Sequence, residues 1–150
     1  MIENSTVNSI IEVLEDKKAC EVNVINVDEK TSLAEYFIIC HATSVAHSST
    51  LVSSLEKAAK DGSVQLLRSD RSASKEWKVL DYGDVIVHIF LEESRYYYDL
   101  EKIWMSDDPV LELQSRIDLK DEPKSIDVRS LFKKAMGKGF KKVGTSGKYR

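Results

Sequence analysis

At 150 residues, 42% hydrophobic and 31% charged, the chain is long enough for one domain and a tail, and can bury a core without disulfides or bound metal. Its longest apolar runs, 36–40 and 85–90, fall far short of the roughly 18 residues that span a bilayer, and Glu3 arrives before any basic or apolar leader, so neither a membrane span nor a targeting peptide is expected and a cytoplasmic location is. The net charge of −3 hides a split: residues 1–128 hold 14 Lys and Arg against 25 Asp and Glu (−11), whereas 129–150 hold eight cations and no acid (+8). Such a division points to an acidic folded body and a tail suited to a polyanion.

In chain order, Val7, Ile10, Ile11 and Leu14 recur at i, i+3, i+4 and i+7 and predict an amphipathic helix over 5–17, capped by Asn4, Ser5 or Thr6. Residues 21–27 alternate like a half-buried strand with Val22, Val24 and Val27 inward, and 36–40 form a continuous apolar run suited to a strand covered on both faces. Thr43 or Ser44 opens a second helix with Ser48, Leu51, Val52, Leu55, Ala58 and Ala59 on one face and Gly62 as its stop. A weaker strand over 64–67 and a polar loop over 68–75 follow. Residues 77–80 and 85–91 then predict a hairpin about an Asp81-Tyr82-Gly83-Asp84 turn. Asp99 is expected to cap a final helix with Tyr96, Leu100, Ile103 and Trp104 on one face. The pattern is α/β, with a mixed sheet of about five strands flanked by helices over residues 1–106. Residues 107–150 read as a C-terminal extension, expected to be disordered from Gly137 onward when free.

Chemistry is harder to find. Cys20 and Cys40 lack CxxC spacing and read as two free thiols of a reducing compartment. Cys40, His41, His47 and His88 are the candidate metal ligands, but none of the recognised spacings joins them, and Cys40 and His41, adjacent on a strand, point to opposite faces. His88, sharing a strand face with Ile86 and Phe90, reads as a hydrogen-bonded core or interface histidine. No phosphate loop is present: Gly144-Thr-Ser-Gly-Lys148 is too short and runs into Tyr149. A nucleotidyltransferase would place paired carboxylates just after a Gly-Ser turn, whereas Gly62-Ser63 lies far from the single such pair, Asp99 and Glu101. Nucleophile motifs are missing too, so no catalytic residue and no cofactor is assigned.

What remains is the aromatic stretch 76–104, with both tryptophans and the Tyr96-Tyr97-Tyr98 run. Three successive helical tyrosines spread over roughly 200° of arc, so one core cannot take all three. Tyrosine, tryptophan and arginine are also the residues that carry binding energy at protein interfaces.

These residues carry a resemblance. Tyr36-Phe-Ile-Ile, Thr43-Ser44 with His47, the run from Trp77 through Asp81-Tyr-Gly-Asp-Val-Ile-Val-His to Phe90, and Arg95-x-x-Tyr-Asp-Leu-Glu-Lys-Ile-Trp104 resemble the ribosomal silencing factor family, also called the Iojap family. The likeness spans roughly residues 5–106. It departs at 41–47, where the family's glycine and arginine are replaced in His-Ala-Thr-Ser-Val-Ala-His. The resemblance implies a nucleotidyltransferase-like fold without catalytic carboxylates and no enzymatic activity; neither a DNA nor a membrane partner is expected. It also implies docking on the large ribosomal subunit through its protein numbered fourteen, which blocks joining of the small subunit and represses translation, with large-subunit assembly as the alternative role. Carried over by motif, Trp77, Tyr82, His88, Arg95, Tyr98 and Trp104 are the candidate partner contacts. Lys133, Lys134, Lys138, Lys141, Lys142, Lys148 and Arg150 of the tail are candidate contacts to ribosomal RNA. An exposed aromatic patch also allows a homodimer in the free state.

Overall fold

The computed structural model describes residues 4–62, 64–70 and 75–106. The extension over 107–150, with its basic candidates, lies outside the described residues. The elements run α1 (Ser5–Asp16), β1 (Cys20–Asn26), β2 (Tyr36–Ala42), α2 (Val45–Lys60), β3 (Arg68–Ser69), β4 (Trp77–Asp81), β5 (Val85–Leu91), α3 (Glu92–Tyr98) and α4 (Leu100–Met105). The strands form one sheet ordered β1-β2-β5-β4-β3, parallel between β2 and β5 and antiparallel elsewhere. This is the mixed α/β sheet expected from the alternation of strand and helix periods.

Local chemistry explains the boundaries. Asn4 caps α1 through its side-chain oxygen on the Val7 N–H at 3.0 Å, and Ser44 caps α2 through its hydroxyl on the His47 N–H at 3.0 Å. Gly62, at φ +89°, ends α2 where a side chain would be strained. In the hairpin turn the Asp81 carboxylate accepts the Gly83 N–H at 2.8 Å, and Gly83 itself sits at φ +92°.

The sheet separates two apolar layers. On one face Ile38, Cys40, Leu80, Val85, Val87 and Ile89 pack beneath Val7, Ile10 and Leu14 of α1 and Leu51 and Leu55 of α2. On the other, Phe37, Ile39, Trp77, Val79, Ile86 and Phe90 pack beneath Tyr98, Leu100, Ile103 and Trp104 of the two short C-terminal helices. Interior β2 and β5 are buried on both sides, which is why 36–40 reads as an unbroken apolar run.

Four expectations are corrected. The edge strand is Arg68–Ser69 and not 64–67, because the backbone of Leu67 and Asp70 bonds the carbonyls of Asp81 and Val79 and sets the register there. Val27 lies in the layer opposite Val22 and Val24, since β1 ends at Asn26 and the chain turns. The final helix is two helices, broken at Asp99, whose φ of +47° is left-handed; Asp99 makes no side-chain cap. Tyr96 is 58% exposed, and Tyr98 takes the buried position instead, because the break reorients the helix.

Candidate functional site

The stretch 76–104 supplies one whole layer of the protein. Trp77 on β4 and Phe90 on β5 face each other across the ladder and stack at 5.0 Å, and Tyr98 leans on Trp77 at 5.1 Å. Phe37 meets His88 and Trp104 edge-on at 4.8 and 5.2 Å. Such offset and edge contacts add to the area they bury.

At the centre, the Trp77 Nε1–H donates to His88 Nδ1 at 3.1 Å. That bond makes Nδ1 the acceptor and leaves the proton of the neutral ring on Nε2, which meets no hydrogen-bond partner among the described residues. Fully buried among rings, His88 has its pKa pushed down to about 3 by desolvation, and is neutral at physiological pH.

All six residues expected to contact a partner are buried in this structure. Trp77, His88, Tyr98 and Trp104 are buried in the aromatic layer, and Tyr82 is buried in the opposite one. Burial holds the Tyr82 hydroxyl above its ordinary range and pushes that of Tyr98 up to about 12. Arg95, only 3% exposed, is turned inward. The motif positions sit here because one hairpin face and two short helices must enclose a layer, and large rings fill it.

Arg95 is the hub of a second cluster that the sequence reading did not assemble. Its Nε and Nη2 donate to the two oxygens of Glu101 at 3.2 and 2.7 Å, a two-pronged ion pair. Its Nη1 donates to the Cys20 carbonyl at 3.2 Å and to His41 Nδ1 at 3.0 Å. Asn23 Nδ2 adds a bond to Glu101 at 2.9 Å. One guanidinium thus ties α3 to β1, β2 and α4. Residues six apart on a continuous helix lie on different faces, about 120° apart, so only the break at Asp99 lets 95 and 101 meet. Desolvation alone would raise the Glu101 pKa, but the bonds from Arg95 and Asn23 outweigh it and hold the carboxyl low. Burial and then the Arg95 charge push the His41 pKa down.

The carboxylate pair Asp99 and Glu101 is accordingly divided: Glu101 is spent on Arg95, and Asp99 forms the helix break. The four candidate metal ligands stand apart. Cys40 is in the α1–α2 layer, its thiol raised to about 12 by burial; His41 is with Arg95, and His88 with Trp77. His47 Nδ1 accepts from the Thr43 N–H at 3.0 Å while Nε2 donates to the Lys17 carbonyl at 2.9 Å, lashing the start of α2 to the end of α1. Among the described residues no group of three or more His, Cys, Asp or Glu is arranged to hold a metal, and no helix is long and apolar enough to cross a membrane. Both cysteines are free thiols.

Exposed rings lie beside this hub. Tyr96 and Tyr97 are 58% and 46% exposed, and Met105 at the end of α4 is 61% exposed. The Tyr96 ring lies 6.1 Å from that of His41, and Tyr97 meets buried Tyr98 edge-on at 5.1 Å. Neither exposed tyrosine was among the expected contacts. Three successive helical tyrosines must leave some ring facing out, and the fold makes these Tyr96 and Tyr97.

Comparison with known proteins places this architecture. The family model described as "Ribosomal silencing factor during starvation" matches residues 2–137. The chain is 34% identical over 107 residues to ribosomal silencing factor RsfS of Halalkalibacterium halodurans, covering 71% of this chain and 91% of that relative. It is 28% identical over 101 residues to the mouse protein "Mitochondrial assembly of ribosomal large subunit protein 1", covering 65% of this chain and 44% of the relative. A crystal structure of a Chromobacterium violaceum protein superposes with a TM-score of 0.65 at 31% identity, covering 73% of this chain and 91% of that one. Matched over nearly its whole length by the family model, the chain belongs to the ribosomal silencing factor family.

Proposed function

We propose that this protein docks on the large ribosomal subunit, through the subunit protein numbered fourteen, and keeps the small subunit from joining. The reading is one of steric competition. It needs a rigid body with a binding face, and no chemistry. The observation that carries it is the exposed pair Tyr96 and Tyr97 on a helix anchored to an aromatic layer, within a chain of the silencing family. Rings held this way lose little freedom on binding, so their buried area goes into affinity. In this reading Tyr96 and Tyr97 meet the partner, while Trp77, Tyr82, His88, Arg95, Tyr98 and Trp104 fix the shape of the face. The eight cations of 129–150 add a contact to ribosomal RNA, and the exposed rings pair two copies of the chain when it is free.

Gradient sedimentation tests it. Added protein should co-migrate with free large subunits and deplete joined ribosomes; absence from ribosomal fractions would sink the proposal. Removal of 129–150 should flatten the salt dependence of subunit binding, and an unchanged slope rejects the RNA contact. The name of the mouse relative favours a second reading, assembly of the large subunit. That reading is selected if the protein co-migrates only with immature particles.

A further inference from the structure

We propose that the Arg95–Glu101 pair is a positioning device: it holds the elbow between α3 and α4 so that Tyr96 and Tyr97 face outward, and it acts on subunit binding only through them. The inference rests on the preceding reading of those tyrosines as the partner-facing rings.

Neither short helix can hold this geometry unaided. α3 has seven residues and α4 six, well under the length at which a helix is stable in isolation. α3 also starts without a side-chain cap. Between them Asp99 holds φ +47°, ψ +52°, a left-handed conformation that costs a residue with a Cβ energy, less for Asp than for most, and that neighbouring contacts help to hold.

Besides the packing of Tyr98, Leu100, Ile103 and Trp104, polar contacts cross the break. Two prongs of Arg95 on Glu101 span the break, at 3.2 and 2.7 Å, and Nη1 reaches Cys20 and His41 on the sheet. At the far end the Lys30 ammonium donates to the Trp104 carbonyl at 2.8 Å and secures the C-terminus of α4. Tyr96 and Tyr97 lie on α3 within three residues of the break, so a rotation at the elbow turns both rings.

The choice of residue types supports orientation over stability. A buried ion pair contributes little that a well-packed apolar pair would not, because desolvation offsets the attraction. What a guanidinium fork adds is direction, since two parallel bonds fix the plane of both groups. A lysine at 95 would keep the charge and lose the plane.

The test uses the full chain and salt-washed large subunits. Binding is followed by sedimentation, unfolding by denaturant, and backbone hydrogen exchange in the unbound protein. Glu101→Gln should unfold cooperatively, exchange faster over 92–105 alone, and bind at least about tenfold more weakly, the scale set by losing an interface tyrosine. Tyr96→Ala with Tyr97→Ala should weaken binding while leaving exchange over 92–105 unchanged. Because the pair acts through the rings, all three changes together should bind no more weakly than the worse of the two. Normal binding by Glu101→Gln, or losses that add in full, overturns the positioning role and leaves the tyrosine face standing. Normal binding by the tyrosine variant removes that face and the positioning role with it. Should Glu101→Gln fail to fold, Arg95→Lys is read in its place: a folded protein with weakened binding supports the role, and one that binds normally overturns it.

Discussion

Protonating His88 should be a main route by which acid loosens this protein. The imidazole is fully buried against Phe37, Trp77 and Phe90, and its pKa falls from 6.5 to about 3. In the unfolded chain it titrates at its ordinary value, so between those two pH values the unfolded state binds the extra proton. Its contribution is fully present above the unfolded value and is lost as pH falls toward the folded one. Between pH 7 and 5, above the range in which carboxylates protonate, the loss from this group is about 2 kcal/mol, at about 1.4 kcal/mol per pH unit below 6.5. That is a large share of the ~5–15 kcal/mol that holds a typical domain folded.

Urea unfolding followed by tryptophan fluorescence, with Trp77 and Trp104 both buried as reporters, measures it at the two pH values. His88→Phe supplies the comparison. It costs about 1–3 kcal/mol at pH 7 by stranding the Trp77 N–H, but removes the titrating group. His41, whose pKa is also lowered, contributes equally to both proteins and cancels. The variant should therefore lose about 2 kcal/mol less than the unaltered protein on going from pH 7 to 5. Equal losses would refute the reasoning, since they would mean that His88 is hydrated or charged in the folded state.

Three further outcomes are expected. Trp104→Ala should cost about 3–5 kcal/mol in denaturant unfolding, because the ring is 6% exposed and packs on Phe37; an unchanged midpoint would put the ring outside the core. Asn4→Ala should cost about 1 kcal/mol through loss of the cap on the Val7 N–H, seen as a lower melting temperature with unchanged subunit binding. Cys40, raised to about 12 and buried, should resist iodoacetamide at pH 8 in the folded protein and react on unfolding, while half-buried Cys20 reacts first; the reverse order by mass spectrometry counts against the burial of Cys40.

Where one local rule governs an element, the sequence alone was enough. The stripe Val7, Ile10, Leu14 and the cap at Asn4 are set within a dozen residues, as are the caps and stop of α2 and the Asp81–Gly83 turn. The hairpin register follows, and with it the shared face of Trp77, Val79, His88 and Phe90. The edge strand is not legible in the sequence, because two residues of pairing leave no alternation; their position depends on hydrogen bonds donated to β4 carbonyls.

The aromatic stretch marks the division most clearly. Its residues by themselves determined that a hairpin and a helical segment bring these rings together, and that three successive tyrosines cannot all be buried. Which rings are core was decided only in three dimensions, by a left-handed residue at Asp99 that no local pattern announces. That break reverses the roles of Tyr96 and Tyr98, and it turns Arg95 from a candidate surface contact into the buried partner of Glu101. The pairing depends on a carbonyl of Cys20, a ring on His41 and an amide on Asn23, supplied from more than fifty positions away in the chain. Contacts that distant leave no periodicity in the sequence. They exist only once the sheet has formed and the two short helices have closed over it.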